Sequence, residues 1–435
     1  MSGTATAKRE SKNGRADATR QKLATVLGPG LIAGASDDDP SGIATYSQAG
    51  AQLGFSVSWT LLFSYPLMAA IQEISARIGR TTGKGIAANI RGHYSNWVLQ
   101  VIVILLLVAN TINIGADLGA MGDALALLVG GPHLLYVALF GALCAGLQIY
   151  IPYDRYAPVL RWLTLALVSY FGAALFVDVP WGEIARGFFM PTFSADAEFW
   201  ATVVAVLGTT ISPYVFFWQA SQEVEETRRV AERKPLVKAP EQGPSALERI
   251  RLDTYFGMGL ANLVALAIMI TAAATLHVRG VTDIASSTQA AEALRPVAGP
   301  FAFAIFALGI VGTGLLAVPV LAGSAAYALA EARRWPQGLA RKPKQAKAFY
   351  AAIALATLIG ALINFSPINP IKALYWSAVI NGVVAVPVLA MMMVMTANRK
   401  IMGDFVVRGP LWVVGWIATA VMAAAIVGMG ITAFM

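Results

Sequence analysis

The sequence predicts an all-α polytopic membrane protein whose first and sixth spanning helices are broken. Three observations predict it. The 435 residues are 57% hydrophobic and 13% charged, with a mean hydropathy of +0.63, and the charges fall in short blocks between long apolar runs. That is the composition of a chain that crosses a bilayer repeatedly. About eleven runs are long enough to span, near 23–52, 57–78, 97–129, 133–151, 157–177, 198–226, 253–277, 300–330, 347–366, 371–396 and 410–434. The first and the sixth are interrupted by proline among polar residues, at Asp39-Pro40-Ser41-Gly42 and at Gly208-Thr209-Thr210-Ile211-Ser212-Pro213-Tyr214.

Residues 1–22 are polar and mixed in charge, with no short apolar core, and read as a cytosolic tail rather than a signal peptide. The tail carries Lys8, Arg9, Lys12, Arg15, Arg20 and Lys22, and alternate later loops repeat the bias. They hold Arg80, Lys84 and Arg91, then Arg228 to Arg249, then Arg333 to Lys347, then Arg399, Lys400 and Arg408. Intervening loops hold scattered cations such as Arg186, Arg279, Arg295 and Lys372. The positive-inside rule then sets the N-terminus in the cytosol and, after an odd number of spans, the C-terminus outside a plasma (inner) membrane. It also accounts for the net charge of +8, so no nucleic-acid partner is implied. The lone Cys144 excludes an intrachain disulfide.

The first span sets Asp37, Asp38 and Asp39 in the middle of an apolar segment. An acid at the centre of a spanning helix costs about 2.5–3.5 kcal/mol on insertion scales, so these carboxylates must face a cavity rather than lipid. Pro40 removes a backbone donor and Ser41-Gly42 lets the chain leave helical geometry, which divides the span into two half-helices. Acids at a mid-membrane break suggest a cation site. The competing reading is that they merely cap the second half-helix, but one cap does not need three acids.

The sixth span breaks five spans after the first. Because five is odd, two successive five-helix units lie inverted across the membrane, and matched broken helices in inverted halves point to a midplane substrate site of a secondary transporter. Two unrelated proline kinks are the bland alternative; the equal spacing and the flanking polar residues argue against them. The organisation expected is a first repeat at 23–178, a second, inverted repeat at 198–396 and an eleventh helix at 410–435.

The runs Gly28-Pro29-Gly30-Leu31-Ile32-Ala33, Asp39-Pro40, Ala44-Thr45 and Gln48-Ala49-Gly50-Ala51-Gln52-Leu53-Gly54, followed by Ile71-Gln72-Glu73-Ile74-Ser75-Ala76-Arg77-Ile78-Gly79 and Thr82-Gly83-Lys84, resemble the NRAMP divalent-metal transporters. The resemblance implies a LeuT-like fold, an ion held between the two broken helices, and access alternating between the two sides. Family members usually carry Mn2+ or Fe2+ together with protons.

The departures from the family pattern refine this. The family's first break reads Asp-Pro-Gly-Asn, with aspartate and asparagine both on the metal; this chain keeps Asp39 and has Gly42 in the asparagine's place. The second break normally reads Met-Pro-His, where this chain has Ser212-Pro213-Tyr214. On the third helix Asp117 matches a family aspartate, but Ala120 stands where a glutamate is typical. Losing the thioether removes a soft ligand that favours transition metals. Mg2+ needs oxygen ligands and dehydrates reluctantly, so Gly42 is expected to widen the site and Ser212 to hold a retained water. This looks like the NRAMP-related magnesium transporter branch. The expected metal site is Asp39, with Asp38, Ser212, the Thr209 carbonyl and Gly42; Asp37, Asp117, Asn113, Tyr214 and Asn381 line the cavity or a secondary site.

Asn110, Asn113 and Asp117 share a helical face and either line the cavity or bond between helices. Glu223, Glu225 and Glu226 are expected to pair with Arg228 and Arg229. His93, His133 and His277 have no metal-ligand spacing. An intramembrane aspartyl protease lacks its Gly-x-Gly-Asp signature around Asp117. A sodium-coupled small-solute transporter of LeuT-like fold is a closer rival, but three aspartates would repel a substrate carboxylate. A channel is disfavoured by the paired broken helices. The reading is a non-enzymatic, monomeric importer of a divalent cation, Mg2+ with Mn2+ as a second cargo, not obligatorily proton-coupled and without a resident cofactor. The alternatives are a proton-coupled Mn2+/Fe2+ NRAMP transporter and the sodium-coupled transporter.

Overall fold

Proline fixes where both broken spans resume. A residue preceding proline is pushed to extended backbone, and proline itself suits the first helical position. Asp39 is extended (φ −72°, ψ 172°) and separates α1 (Pro29–Asp37) from α2 (Pro40–Leu53). Ser212 is likewise extended (φ −87°, ψ 126°), between α9 (Ala197–Thr210) and α10 (Pro213–Arg229). The computed structural model describes residues 29–434 apart from 152–154, 156–167 and 177–179. The expected tail at 1–22 and most of the expected fifth span lie outside the described residues.

The remaining helices follow the expected spans. The chain turns by 109° between the segment 40–57 and α3 (Trp59–Thr82). After α4 (Ile86–His93) come α5 (Asn96–Val129) and α6 (His133–Tyr150), with α7 (Val168–Phe176) and α8 (Trp181–Phe189) ahead of α9. The second half continues with α11 (Gly243–Thr275), α12 (Ala302–Arg333), α13 (Lys347–Ile363), α14 (Pro370–Ala397) and α15 (Pro410–Ala433). Among the described residues seven helical spans are long and apolar enough to cross a bilayer on their own. The segment 40–57 and α3 pass that test only together, across their 109° bend, and α13 has only 17 residues. This is an all-helical, LeuT-like architecture with the first and sixth helices broken.

Small residues bring the helix backbones together around the breaks, as in other membrane bundles. Gly34 of α1 lies on the backbone of Gly257 in α11, Gly79 of α3 on the Ala220 carbonyl of α10, and Gly208 of α9 on the Ala378 carbonyl of α14. A side chain at any of the three would collide with backbone.

The end of α10 that runs into the basic 228–249 segment is tied down by glutamates. Glu223 is fully buried and pairs with Arg249 of α11 at 2.5 Å; Glu226 pairs with Arg233. Glu225 accepts from the Tyr327 hydroxyl at 2.5 Å and from the Leu339 N–H at 2.9 Å. Beside the expected pairing with Arg228 and Arg229, these glutamates reach partners on α11 and α12, because that stretch of α10 is packed against both helices. Glu331 of α12 accepts from the Ala88 N–H at 3.0 Å, which closes the same end.

A substitution at the α3–α10 contact tests this packing. Gly79→Leu forces the two backbones apart and should cost about 1–3 kcal/mol, read as a lower melting temperature of the purified protein in detergent, whereas Gly92→Ala, with open space around it, should melt as the wild type does.

Candidate functional site

Asp39 sits at the crossing of both broken helices and is 1% exposed. One of its oxygens caps α2: Oδ1 accepts from the Gly42 N–H and from the Ser41 hydroxyl, each at 2.7 Å. The capping expected as a competing reading is thus real, but it uses only half of the carboxylate. Oδ2 turns the other way, accepting from Asn113 Nδ2 of α5 at 3.1 Å and lying 3.4 Å from the Tyr214 hydroxyl of α10. The free half of Asp39 therefore faces the junction of α1, α5 and α10.

Tyr214 joins the two breaks. Its hydroxyl donates to the Ser36 carbonyl at 2.9 Å, in the last turn of α1, which leaves the longer contact to Asp39 secondary. Ser212 donates to the Gly208 and Thr209 carbonyls at 2.8 and 2.7 Å. Its proton is thereby committed to the end of α9, and its lone pairs are what remain for a donor such as a metal-bound water. The Thr209 carbonyl, expected as a ligand, accepts from Ser212 and keeps a second lone pair.

Gly42 does not open the site. A Cβ there would stand 3.1 Å from Thr209 Cγ2 and 3.4 Å from both the Asp37 carbonyl and the Tyr46 ring. The expected widening is corrected: Thr209 and Tyr46 fill the room that a side chain at position 42 would take.

Asp37, Asp38 and Asp117 are also buried, at 3%, 6% and 0% exposure. Asp117 of α5 lies beside the Ser41 backbone amide without closing a well-aligned hydrogen bond. The electrostatic neighbours of Asp37 and Asp38 are the adjacent aspartates, and among the described residues no lysine or arginine pairs with any of the four acids. Four carboxylates in a low-dielectric interior without a counter-charge favour a cation strongly. Among the described residues no three His, Cys, Asp or Glu side chains form a closed metal cage; the immediate partners of Asp39 are neutral groups.

The asparagines divide. Asn110 bonds between helices, donating to the Leu321 carbonyl at 2.9 Å and to the Ser324 hydroxyl at 2.7 Å, whereas Asn113 turns to Asp39. Asn381 is buried with its Oδ1 unpartnered and lies outside the hydrogen-bonded set around Asp39. Ser377, one turn before it on α14, does belong to that set: it donates to Asn113 Oδ1 at 2.6 Å. Its four-residue spacing from Asn381 was the available signal, since positions i and i+4 share a helical face.

A cavity of about 1130 Å3 opens along α2, lined among others by Gln48, Gln52, Glu198, Asp283, Lys372 and Tyr375. It reaches inward along α2 to Ala44, about one and a half turns past Asp39. On its wall Gln52 donates to Glu198 at 3.0 Å and accepts from Thr202 at 2.9 Å.

The family profile described as Natural resistance-associated macrophage protein-like matches residues 30–432. The chain belongs to the Nramp family. It is 28% identical over 425 residues to a divalent metal cation transporter MntH of Klebsiella pneumoniae (strain 342), covering 95% of each chain. A second K. pneumoniae MntH is 29% identical over 429 residues, again covering 95% of each. Among solved structures, the manganese transporter of Eremococcus coleocola superimposes with a TM-score of 0.76 at 16% identity, covering 94% of this chain and 86% of that one. The nucleobase-cation symporter Mhp1 in a closed conformation gives 0.55 at 15% identity, with 93% of each chain covered. Both likenesses concern the fold. The protein is a multi-pass membrane transporter for divalent metal cations by family.

The crowding at Gly42 is testable. Gly42→Asn should lower divalent-ion uptake several-fold because Thr209 must give way, and adding Thr209→Ser, which removes the obstructing methyl, should recover most of the loss in the same uptake assay.

Proposed function

We propose that this chain imports a divalent cation by alternating access, with Mg2+ as its main cargo and Mn2+ as a second, and without obligatory proton coupling. The observation that carries the reading is the Asp39 junction. A single half-free carboxylate surrounded by hydroxyl and amide groups suits a hard cation that keeps part of its hydration shell. Ser212, in place of a thioether, can accept a hydrogen bond from such a water. Asp38 and Asp37 add charge that attracts the ion, and Thr209 lies across the second break.

The side reached by the wide cavity carries residues 196–198, 282–284 and 371–376, the loops that the charge bias assigns to the outside. The opposite end is closed by the glutamate contacts of α10 and α12. This supports an outward-facing arrangement of two inverted repeats, 23–178 and 198–396, in a plasma membrane with the N-terminus inside. The membrane voltage then drives a cation inward, at about 2.3 kcal/mol per charge for each 100 mV.

Proton coupling is disfavoured by Ala120, which cannot titrate, and by Tyr214, whose proton is engaged with the Ser36 carbonyl. A second reading, a proton-coupled Mn2+ transporter, is favoured by the manganese named for the E. coleocola protein and by the retained, buried Asp117.

Uptake by purified protein in liposomes decides between them. Mg2+, Mn2+ and Ca2+ are offered with and without a pH gradient, at a voltage set by potassium. Mg2+ should enter while a trapped pH dye stays flat; acidification that follows the metal and disappears in Asp117→Asn would favour the second reading. Asp39→Ala should abolish uptake with expression unchanged, and wild-type uptake by that variant would rule out the site.

Selectivity gives an independent check. Ser212→Met supplies a sulfur ligand and should move the ranking toward Mn2+ and Cd2+ at the expense of Mg2+, measured by competition in the same liposomes. An unchanged ranking would mean that ligand softness does not set selectivity here.

A further inference from the structure

Ser377 has one proton and two acceptors. Its hydroxyl lies 2.6 Å from Asn113 Oδ1 and 2.7 Å from the Leu374 carbonyl of its own helix, and both Ser377 and Asn113 are at most 1% exposed. One proton cannot serve two acceptors fully at once, so the arrangement is frustrated at this point. It is held in place from the other side. As a carboxylate oxygen, Asp39 Oδ2 only accepts, so Asn113 turns its N–H toward it and its oxygen toward Ser377.

A cation on Asp39 Oδ2 reverses that demand. The carboxylate oxygen then no longer needs an amide donor, and an N–H pointing at a cation is repelled by it. Rotating the Asn113 amide by half a turn offers Oδ1 to the ion, an oxygen ligand of the kind hard cations prefer. The same rotation brings the amide N–H to Ser377 Oγ. Ser377 now accepts from Asn113 and gives its single proton wholly to Leu374, which removes the frustration. Tyr214 need not move, since its shorter bond is to Ser36.

We propose that Asn113 is a reversible amide ligand that inverts when the cation reaches Asp39, and that Ser377 is the positioning residue that satisfies the amide in both orientations. This rests on the reading of Asp39 as the cation's anchor. It assigns to α5 and α14 a ligand exchange at the site: the ion gains an oxygen as Asp39 loses a hydrogen bond, with no proton transferred and no buried polar group left unpaired.

The test is equilibrium binding of Mg2+ to the full-length purified transporter by titration calorimetry, with the ion-free melting temperature of each variant recorded alongside. Ser377→Ala removes the acceptor that the inverted amide needs and should weaken Mg2+ binding roughly 3- to 10-fold, the range of one hydrogen bond. Ser377→Thr keeps the hydroxyl and should restore it. Asn113→Leu should weaken binding at least as much, and in that background Ser377→Ala should cost nothing further. Asn113→Ala takes its place in the cycle if the leucine variant does not fold. Wild-type affinity in both Ser377→Ala and the Asn113 variant overturns the proposal, as does an undiminished Ser377→Ala effect in the Asn113 background. Asp39→Ala separates the two levels. If it abolishes binding while the amide variants bind normally, the inversion alone is wrong; if it binds Mg2+ normally, the anchor itself is misplaced.

Discussion

Burial of the Asp39 carboxylate at the meeting point of two broken helices is the constraint around which the rest of this molecule is arranged. A carboxylate away from water is tolerated only when its lone pairs are satisfied or a cation stands beside it. Here the chain satisfies one oxygen locally, through the first turn of α2, and the other from distant helices, through Asn113 and Tyr214. The local half fixes where the carboxylate is. The distant half leaves it available, because neutral donors are displaced by a divalent ion more readily than a buried arginine would be.

The breaks follow from the same requirement. An intact helix would spend its backbone donors on itself, whereas the Asp39-Pro40 and Ser212-Pro213 steps leave extended residues whose neighbours turn toward the cavity. Irregular backbone at membrane depth survives only when protein or a cavity surrounds it. Glycine and alanine contacts supply that surround: α1 lies on α11 at Gly34, and α9 on α14 at Gly208. Close packing of the half-helices and burial of the site between them are thus parts of one solution.

Charge is distributed with equal economy. Four acids are buried at and beside the first break, and Arg233 and Arg249 pair with glutamates near the far end of α10. The hydroxyls of Ser212 and Tyr214 serve as structural clasps on α9 and α1 before they serve any ion.

The sequence by itself determined the two breaks, the acids at the first of them, the family and the long apolar helices among the described residues, because these depend on hydropathy over some twenty residues and on the local chemistry of proline. Asp39 as the centre was legible for the same reason, since its cap is made within three residues. Everything that depends on helices meeting across the bundle was not. The sequence could not separate Asn110 from Asn113, which share a face but meet α12 and Asp39 respectively. It expected Gly42 to open space that Thr209 and Tyr46 occupy, and did not show that Ser212 donates to the Thr209 carbonyl. Ser377 went unseen, and the glutamates of α10 found partners on α11 and α12 that lie far away in sequence. Hydropathy and turn chemistry act along the chain and can be read there; a hydrogen bond between helices depends on their relative rotation, which only the packed bundle decides.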